Sequence, residues 1–342
     1  MATTQDASIG AKVEATFGTA IAVDRFYEFT DESFDYNKVT TQGAGLRVGG
    51  RVARSARRVV TKYNGKGDFS VEMTTKGLGT LLQSVFGSGT STLVGGTTYQ
   101  QNFVLGATNA NLPSMTIQKG VPNAAGTVDP YTFAGCTATN AEITADNGGI
   151  VKLKTSWIAQ TVVQGGSGAN AYQTPSYVTS PNLFHFAQGA VTLGGSVTAP
   201  TTTTLATGGT AVANVRSFSL TIDNKVAEDR YTFNNAGKMS QPTVGLRDIK
   251  GKMTVEYTDT TVPAAHLADT ELAVTLTFTS SETLSTGTAQ MQIVLPAIRL
   301  NGQVPTVNDP NLVTFDFDFD VLDNLTATQP IWVVLRTADI AL

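Results

Sequence analysis

Along most of this chain hydrophobic and polar positions alternate with period two, the signature of half-buried strands. The clearest case reads Asp68-Phe69-Ser70-Val71-Glu72-Met73. Further strands are predicted over 25–29, 98–105, 114–120, 131–133, 136–144 and 150–163. One long stretch has helical period instead. Leu78, Leu81, Leu82, Val85 and Phe86 share a face, which predicts a helix over 75–86, with Thr74 or Thr75 capping its start and Gly87 ending it. Between these elements lie a small, polar N-terminal arm (1–24) and a Gly- and Arg-rich stretch (36–67) that reads as a long loop or extended hairpin. A Gly/Ser/Asn/Pro linker covers 164–182, and a Thr-rich segment over 196–214 reads as an exposed loop.

The order of elements occurs twice. Gly67, Val71, Glu72 and Thr74 match Gly251, Val255, Glu256 and Thr258 at one constant offset. Asn37-Lys38-Val39 matches Asn224-Lys225-Val226 at an offset three residues larger. A short helix signal follows the second strand too, over 262–269, with Pro263 suited to a first turn. Asn147-Gly148-Gly149-Ile150-Val151 has a counterpart in Asp309-Pro310-Asn311-Leu312-Val313. These repeats predict an all-β chain of two tandem β-sandwich modules, 1–170 and 171–342, each flanked by a short helix.

Composition supports that class. The chain has 342 residues, 41% of them hydrophobic, enough to fill real cores. Only 15% are charged, against roughly 25% in an average soluble domain. Abundant Gly and Thr fit strands joined by tight turns. The longest apolar run is far below the ~18 residues of a membrane helix, so no membrane anchor is expected. Met1-Ala2-Thr3-Thr4-Gln5-Asp6 has neither the basic nor the apolar region of a signal peptide. Cys136 is the single cysteine, which excludes an internal disulfide and a Cys-based zinc site and fits synthesis in a reducing cytoplasm.

Catalytic patterns are missing. The two histidines, His185 and His266, sit in no HExxH motif, and the chain has no Gly-x-Ser-x-Gly and no P-loop. The expectation is therefore no enzyme, no metal and no cofactor. Thr314-Phe315-Asp316-Phe317-Asp318-Phe319-Asp320-Val321 is one sharp exception to bland patterning. As a strand it turns three Phe to a core and Asp316, Asp318 and Asp320 to the other face, ~7 Å apart. A flat strand cannot wrap a calcium ion with several carboxylates, so this row reads as an acidic surface.

Charge is also segregated. From 36 to 67 the chain carries Lys38, Arg47, Arg51, Arg54, Arg57, Arg58, Lys62 and Lys66 and no acidic residue. The remainder holds 15 basic and 27 acidic residues, a net of −12 against −4 for the whole chain. Three readings stay open: a solvated loop, a nucleic-acid arm, and a loop that docks on an acidic surface of another copy. Near-absence of aromatic interleaving weighs against nucleic acid. Docking is favoured, and such head-to-tail contacts build rings or filaments.

The chain resembles the major tail tube proteins of long-tailed, non-contractile bacteriophages. Val13-Glu14-Ala15-Thr16-Phe17-Gly18-Thr19-Ala20 carries the likeness, followed by Arg25-Phe26-Tyr27-Glu28-Phe29 and the Arg/Gly-rich stretch. So do Gly67-Asp68-Phe69-Ser70-Val71-Glu72-Met73, Lys76-Gly77-Leu78-Gly79-Thr80-Leu81-Leu82 and Phe133-Ala134-Gly135-Cys136. The segment from Gly149 to Lys154 and the closing strand pair over 305–323 continue it. The resemblance implies β-sandwich modules that give strands to the inner β-barrel of a ring, six modules to a ring, with rings stacked into a tube that conducts the genome. Two modules per chain then imply a trimer with pseudo-sixfold symmetry in place of a hexamer. By analogy the stacking loops are 40–66 (Arg47, Arg51, Arg54, Arg57, Arg58, Lys62 and Lys66) and 227–250 (Glu228, Asp229, Arg230, Arg247 and Asp248). Asp316, Asp318 and Asp320 become candidates for an acidic surface or lumen. Implied partners are further copies of the chain, a tape-measure protein inside the tube, a tail terminator and distal tail or initiator proteins. DNA would pass without specific binding, and the mature location would be the virion tail. The alternative is a carbohydrate-binding or adhesin-like β-sandwich. That reading needs exposed aromatic platforms, whereas Trp157 and Trp332 lie in strand-like runs and read as core.

Overall fold

Strands that are apolar on one face must bury it against a second sheet, and each half of this chain does so. The computed structural model describes residues 3–107, 110–212, 214–258, 260–302 and 313–342. In the first half one sheet runs Arg25–Tyr27, Ser8–Val13, Met115–Pro122, the start of Val128–Ala145, and Thr161–Gln164. The facing sheet runs Phe29–Glu32 with Asp35–Gln42, then Arg58–Glu72, Lys152–Ala159 and the end of Val128–Ala145. Phe69, Ile117, Phe133, Ile143, Leu153 and Trp157 fill the space between.

The second half is wired alike. Ala211–Val212, Gly189–Leu193, Leu272–Thr283, the start of Thr288–Gly302 and Trp332–Thr337 make one sheet. Val215–Asp223, Asp248–Glu256, Thr314–Val321 and the end of Thr288–Gly302 make the other. The glycine matched in the two halves has a steric reason. A Cβ on Gly67 would lie 2.4 Å from the Cα of Phe34, and one on Gly251 would lie 2.1 Å from the Phe319 ring. Each glycine makes room for an aromatic residue in its sandwich.

Val128–Ala145 belongs to both sheets of its sandwich and changes sheet near Gly135, where the ladder register shifts. Glu14 holds this corner. Its buried carboxylate accepts from the Gly135 amide at 2.8 Å, the Gly18 amide at 2.9 Å, Ser114 Oγ at 2.7 Å and Thr116 Oγ1 at 3.0 Å. Gly135 itself has φ +67°, a conformation that favours glycine. Two segments that carried the family likeness, around Glu14 and around Gly135, are thus joined by one side chain.

Several sequence expectations change. The segment expected as an N-terminal arm contains an internal strand, Ser8–Val13, paired on both sides with Ile9 and Ala11 buried. The helix spans Gly79–Phe86 and starts at Leu78 without a side-chain cap; Gly87 ends it as expected. Thr75 does not cap, because its hydroxyl is engaged by Glu282. Gly87–Gly95 is a strand that its Gly, Ser and Thr content concealed. The Thr-rich segment is not a free loop: the Thr201 carbonyl accepts from Gln100 and Asn102, and Ala206 packs with Val294, Trp332 and Val334. The second helix is Thr261–Leu267. The proposed counterpart at 309–312 and most of the closing segment from 305 lie outside the described residues.

The halves are not separated by a gap at 170. The hairpin Gly87–Gly95/Thr98–Leu105 extends the second half's sheet, with Trp332↔Val104 through Thr337↔Tyr99 in register. Asp339 accepts from the Gly77 amide at 2.5 Å. Glu282 reaches back to Lys76 Nζ at 2.6 Å, Thr75 Oγ1 at 2.5 Å and Asn182 Nδ2 at 3.4 Å. Burial pushes the Glu282 pKa up, but the hydrogen bonds from Lys76, Thr75 and Asn182 outweigh it and hold the group below the ordinary glutamate value.

Two outcomes are expected. Glu14→Ala strands four donors in a closed site and lowers the unfolding free energy by about 3 kcal/mol in urea titration. Glu282→Gln costs about 2 kcal/mol at neutral pH. Because the folded pKa is depressed, that contribution exists above the unfolded value and is lost as pH falls through the folded one. The gap between wild type and Glu282→Gln should therefore close in acid, read from urea midpoints across pH 7 to 3.

Candidate assembly surfaces

A β-sheet edge pairs with whatever strand reaches it, and here the second half's edge is taken by the first half. Phe218↔Ala145 through Asp223↔Asn140 form an antiparallel ladder, extended by the Asn224 amide to the Thr139 carbonyl at 2.9 Å. One sheet consequently crosses both halves without interruption. Glu72, Lys152, Thr144, Ser219, Lys252, Asp318 and Asn301 stand in one cross-strand row. Ser70, Lys154, Glu142, Thr221, Lys250, Asp320 and Arg299 stand in the next.

This face is polar because period two sends the apolar residues inward. Phe315, Phe317 and Phe319 are buried, and Asp316, Asp318 and Asp320 stand on the polar face. The acidic row is interleaved with cations. Lys250 is opposite Asp320, Lys252 is opposite Asp318, and Lys252 Nζ is 3.6 Å from Asp316. Asp68 pairs with Lys154 at 3.6 Å, and Asp248 with Lys250 at 2.9 Å. Further cations sit among the carboxylates: Lys225 Nζ is 2.5 Å from Asp223 and 3.9 Å from Asp248, and Arg216 is 3.6 Å from Glu256, so acidic residues exceed basic ones on this face only by a small margin.

The basic stretch is an extended hairpin. Asp35–Gln42 pairs with the start of Arg58–Glu72, from Asp35↔Lys66 to Gln42↔Arg58, a ladder roughly 25 Å long. Arg47, Arg51, Arg54, Arg57, Arg58, Lys62 and Lys66 are all exposed, as are Leu46, Val48 and Val52 at the tip. Among the described residues no ion pair involves these cations; Arg58 reaches only Thr40 Oγ1, at 3.3 Å. The chain does not bring its own arm and Asp row together.

The second-half loop folds onto the base of this arm instead of projecting beside it. The Tyr63 amide donates to the Gly237 carbonyl at 2.9 Å, and the Tyr231 hydroxyl donates to the Tyr63 carbonyl at 2.8 Å. Lys62 Nζ sits 4.6 Å above the Tyr231 ring, and Tyr63 stacks on Tyr36 at 5.9 Å. Burial, with Tyr63 and Tyr231 alongside, pushes the Tyr36 hydroxyl up to about 12. Glu228, Asp229 and Arg230 are exposed, and Arg230 donates to the Gln241 carbonyl. Phe233 and Leu246 are exposed too.

Arg247 and Asp248, expected in that loop, do other work. Asp248 opens the strand Asp248–Glu256. Arg247 donates to the Phe86 carbonyl at 3.1 Å, and Asn224 Nδ2 donates to the Val85 carbonyl at 3.1 Å and the Ala138 carbonyl at 3.2 Å. Together they satisfy the last carbonyls of the first half's helix, where a cation also meets the negative end of the dipole.

A family model described as phage tail tube protein matches residues 4–321, nearly the whole chain. The chain belongs to the phage tail tube proteins. No curated protein matches it.

In this tail tube protein the sequence showed these features unevenly. Charge counting found the arm. It missed Asn224 and Arg247 as a helix cap, since that contact joins residues more than a hundred positions apart. The tail tube protein with Arg54→Glu, Arg57→Glu and Arg58→Glu should keep its melting temperature within about 2 °C, because these side chains carry no folded contacts of consequence. Calorimetry of the unassembled chain checks this.

Proposed function

We propose that the chain polymerises as stacked rings into the hollow tail tube that conducts phage DNA, with three chains to a ring. The observation that carries this reading is the continuous sheet with two like-wired sandwiches. Each half acts as one tail-tube module, and the joint between the halves is a worked example of the joint between chains. Three chains then give six modules and a closed inner barrel, which removes the sheet edges. The polar face with its acidic excess lines the lumen and repels phosphate without binding it. The arm over 40–66 docks on the next ring, buttressed by the loop over 227–247. A tape-measure protein in the lumen, a terminator and a distal initiator complete the partners, and the assembled product resides in the virion tail after synthesis in the host cytoplasm.

Electron microscopy of concentrated purified protein tests this. Hollow tubes whose rings weigh three times 35.9 kDa are expected. Monomers alone, even with initiator proteins added, would overturn it. Arg54→Glu, Arg57→Glu and Arg58→Glu together should slow polymerisation, most at low salt where charge contacts are least screened.

A further inference from the structure

The joint between the halves can be carried, residue by residue, to the two ends of the sheet. Leu220 and Ile222 face Gly251 and Ile249 across one ladder. In the first half Tyr36 faces Gly65, and Phe34 lies against Gly67. Phe34, Tyr36 and Lys38 thus occupy the positions of Leu220, Ile222 and Asn224, one residue out of step with the Asn-Lys-Val match. At the far end Gly302 pairs with Phe317 as Ala141 pairs with Thr155, which puts Asn301 in the place of Asn140.

In the second half, the outward backbone groups of Leu220, Ile222 and Asn224 bond to the strand over 139–143. In the first half, this edge is covered by side chains. The Phe34 amide donates to Glu32 Oε2 at 2.9 Å, and Lys119 Nζ donates to the Phe34 carbonyl at 2.6 Å. Lys119 also pairs with Glu32 at 3.3 Å. The Tyr36 amide donates to Asp35 Oδ1 at 2.7 Å. The Asp35 carboxylate stands where a neighbouring strand's carbonyl would meet the Tyr36 amide, and Glu32 and Lys119 close the Phe34 backbone beside it.

We propose that this edge receives the strand end over 300–302 of a second copy, and that the Asp35 carboxylate on the Tyr36 amide is its removable cover. The inference rests on the ring reading above and adds its register: Tyr36 opposite Gly302, and Asn37 opposite Asn301. Charge at an exposed edge blocks indiscriminate pairing. A correctly registered partner offers backbone bonds in exchange for the side-chain ones, so the net change on closure is small and assembly stays under control.

Two variants test it on the full-length chain. Asp35→Ala frees the Tyr36 amide without touching the core, and should associate at about tenfold lower concentration than wild type in sedimentation, with an unchanged melting temperature. Asn37→Cys with Asn301→Cys should give covalently linked chains on oxidation, because Asp223↔Asn140 is a non-hydrogen-bonded pair, whose Cα atoms lie about 4.5 Å apart, inside disulfide range. Cys136 is buried, and burial raises its thiol pKa, so it can remain in place. Tubes that form without this cross-link overturn the seam and leave the tube reading intact. An uncovered variant that associates no more readily than wild type overturns the cover. Chains that stay monomeric in every variant overturn both the seam and the ring.

Discussion

Six backbone pairs between 218–223 and 140–145 fix the register of one half of the molecule against the other. Antiparallel ladders tolerate no slip here, because a one-residue shift would turn Leu220, Ile222, Ala141 and Ile143 out of the core. With that register fixed, the polar residues of seven strands fall into rows, and Asn224 arrives beneath the first half's helix. Its amide extends the ladder while its side chain caps the Val85 carbonyl. Sheet pairing and helix capping are therefore one event.

Interlocking at other points makes the two sandwiches cooperative. The hairpin over 87–105 lies in the second half's sheet, the tail around Asp339 lies against Gly77, and Glu282 closes on Lys76. A cut near residue 170 would leave one edge of the Trp332–Thr337 strand without Thr98–Leu105, and the last carbonyls of the helix Gly79–Phe86 without Asn224 and Arg247. The interior reflects this, since a single apolar cluster runs from Ile9 to Leu335 across both halves.

What was legible in the sequence follows from range. Period two in Asp68–Met73 and in Thr314–Val321 reported which face is buried, and the leucine spacing reported the helix Gly79–Phe86; these are local properties. Gly67 and Gly251 betrayed the duplication because each must clear an aromatic ring. The strand Gly87–Gly95 escaped, since its burial is intermediate on both faces and no alternation is demanded of it. The arm was visible as charge, but Ser8–Val13 was not visible as a strand, because small residues suffice where neighbours on both sides supply the bulk. Glu14 could not be assigned: its four donors come from three separate segments.

The cross-strand rows have a consequence for distance. Strands sit about 4.8 Å apart, so the signs of neighbouring side chains vary on a scale shorter than the roughly 8 Å Debye length at physiological ionic strength. Close to the sheet the field is a fine checker of opposite poles. A few ångströms away the poles cancel, and only the small surplus of carboxylate survives as a smooth, shallow potential. A stiff polyanion drawn along such a wall would meet an even cushion with no staircase of wells to hold it.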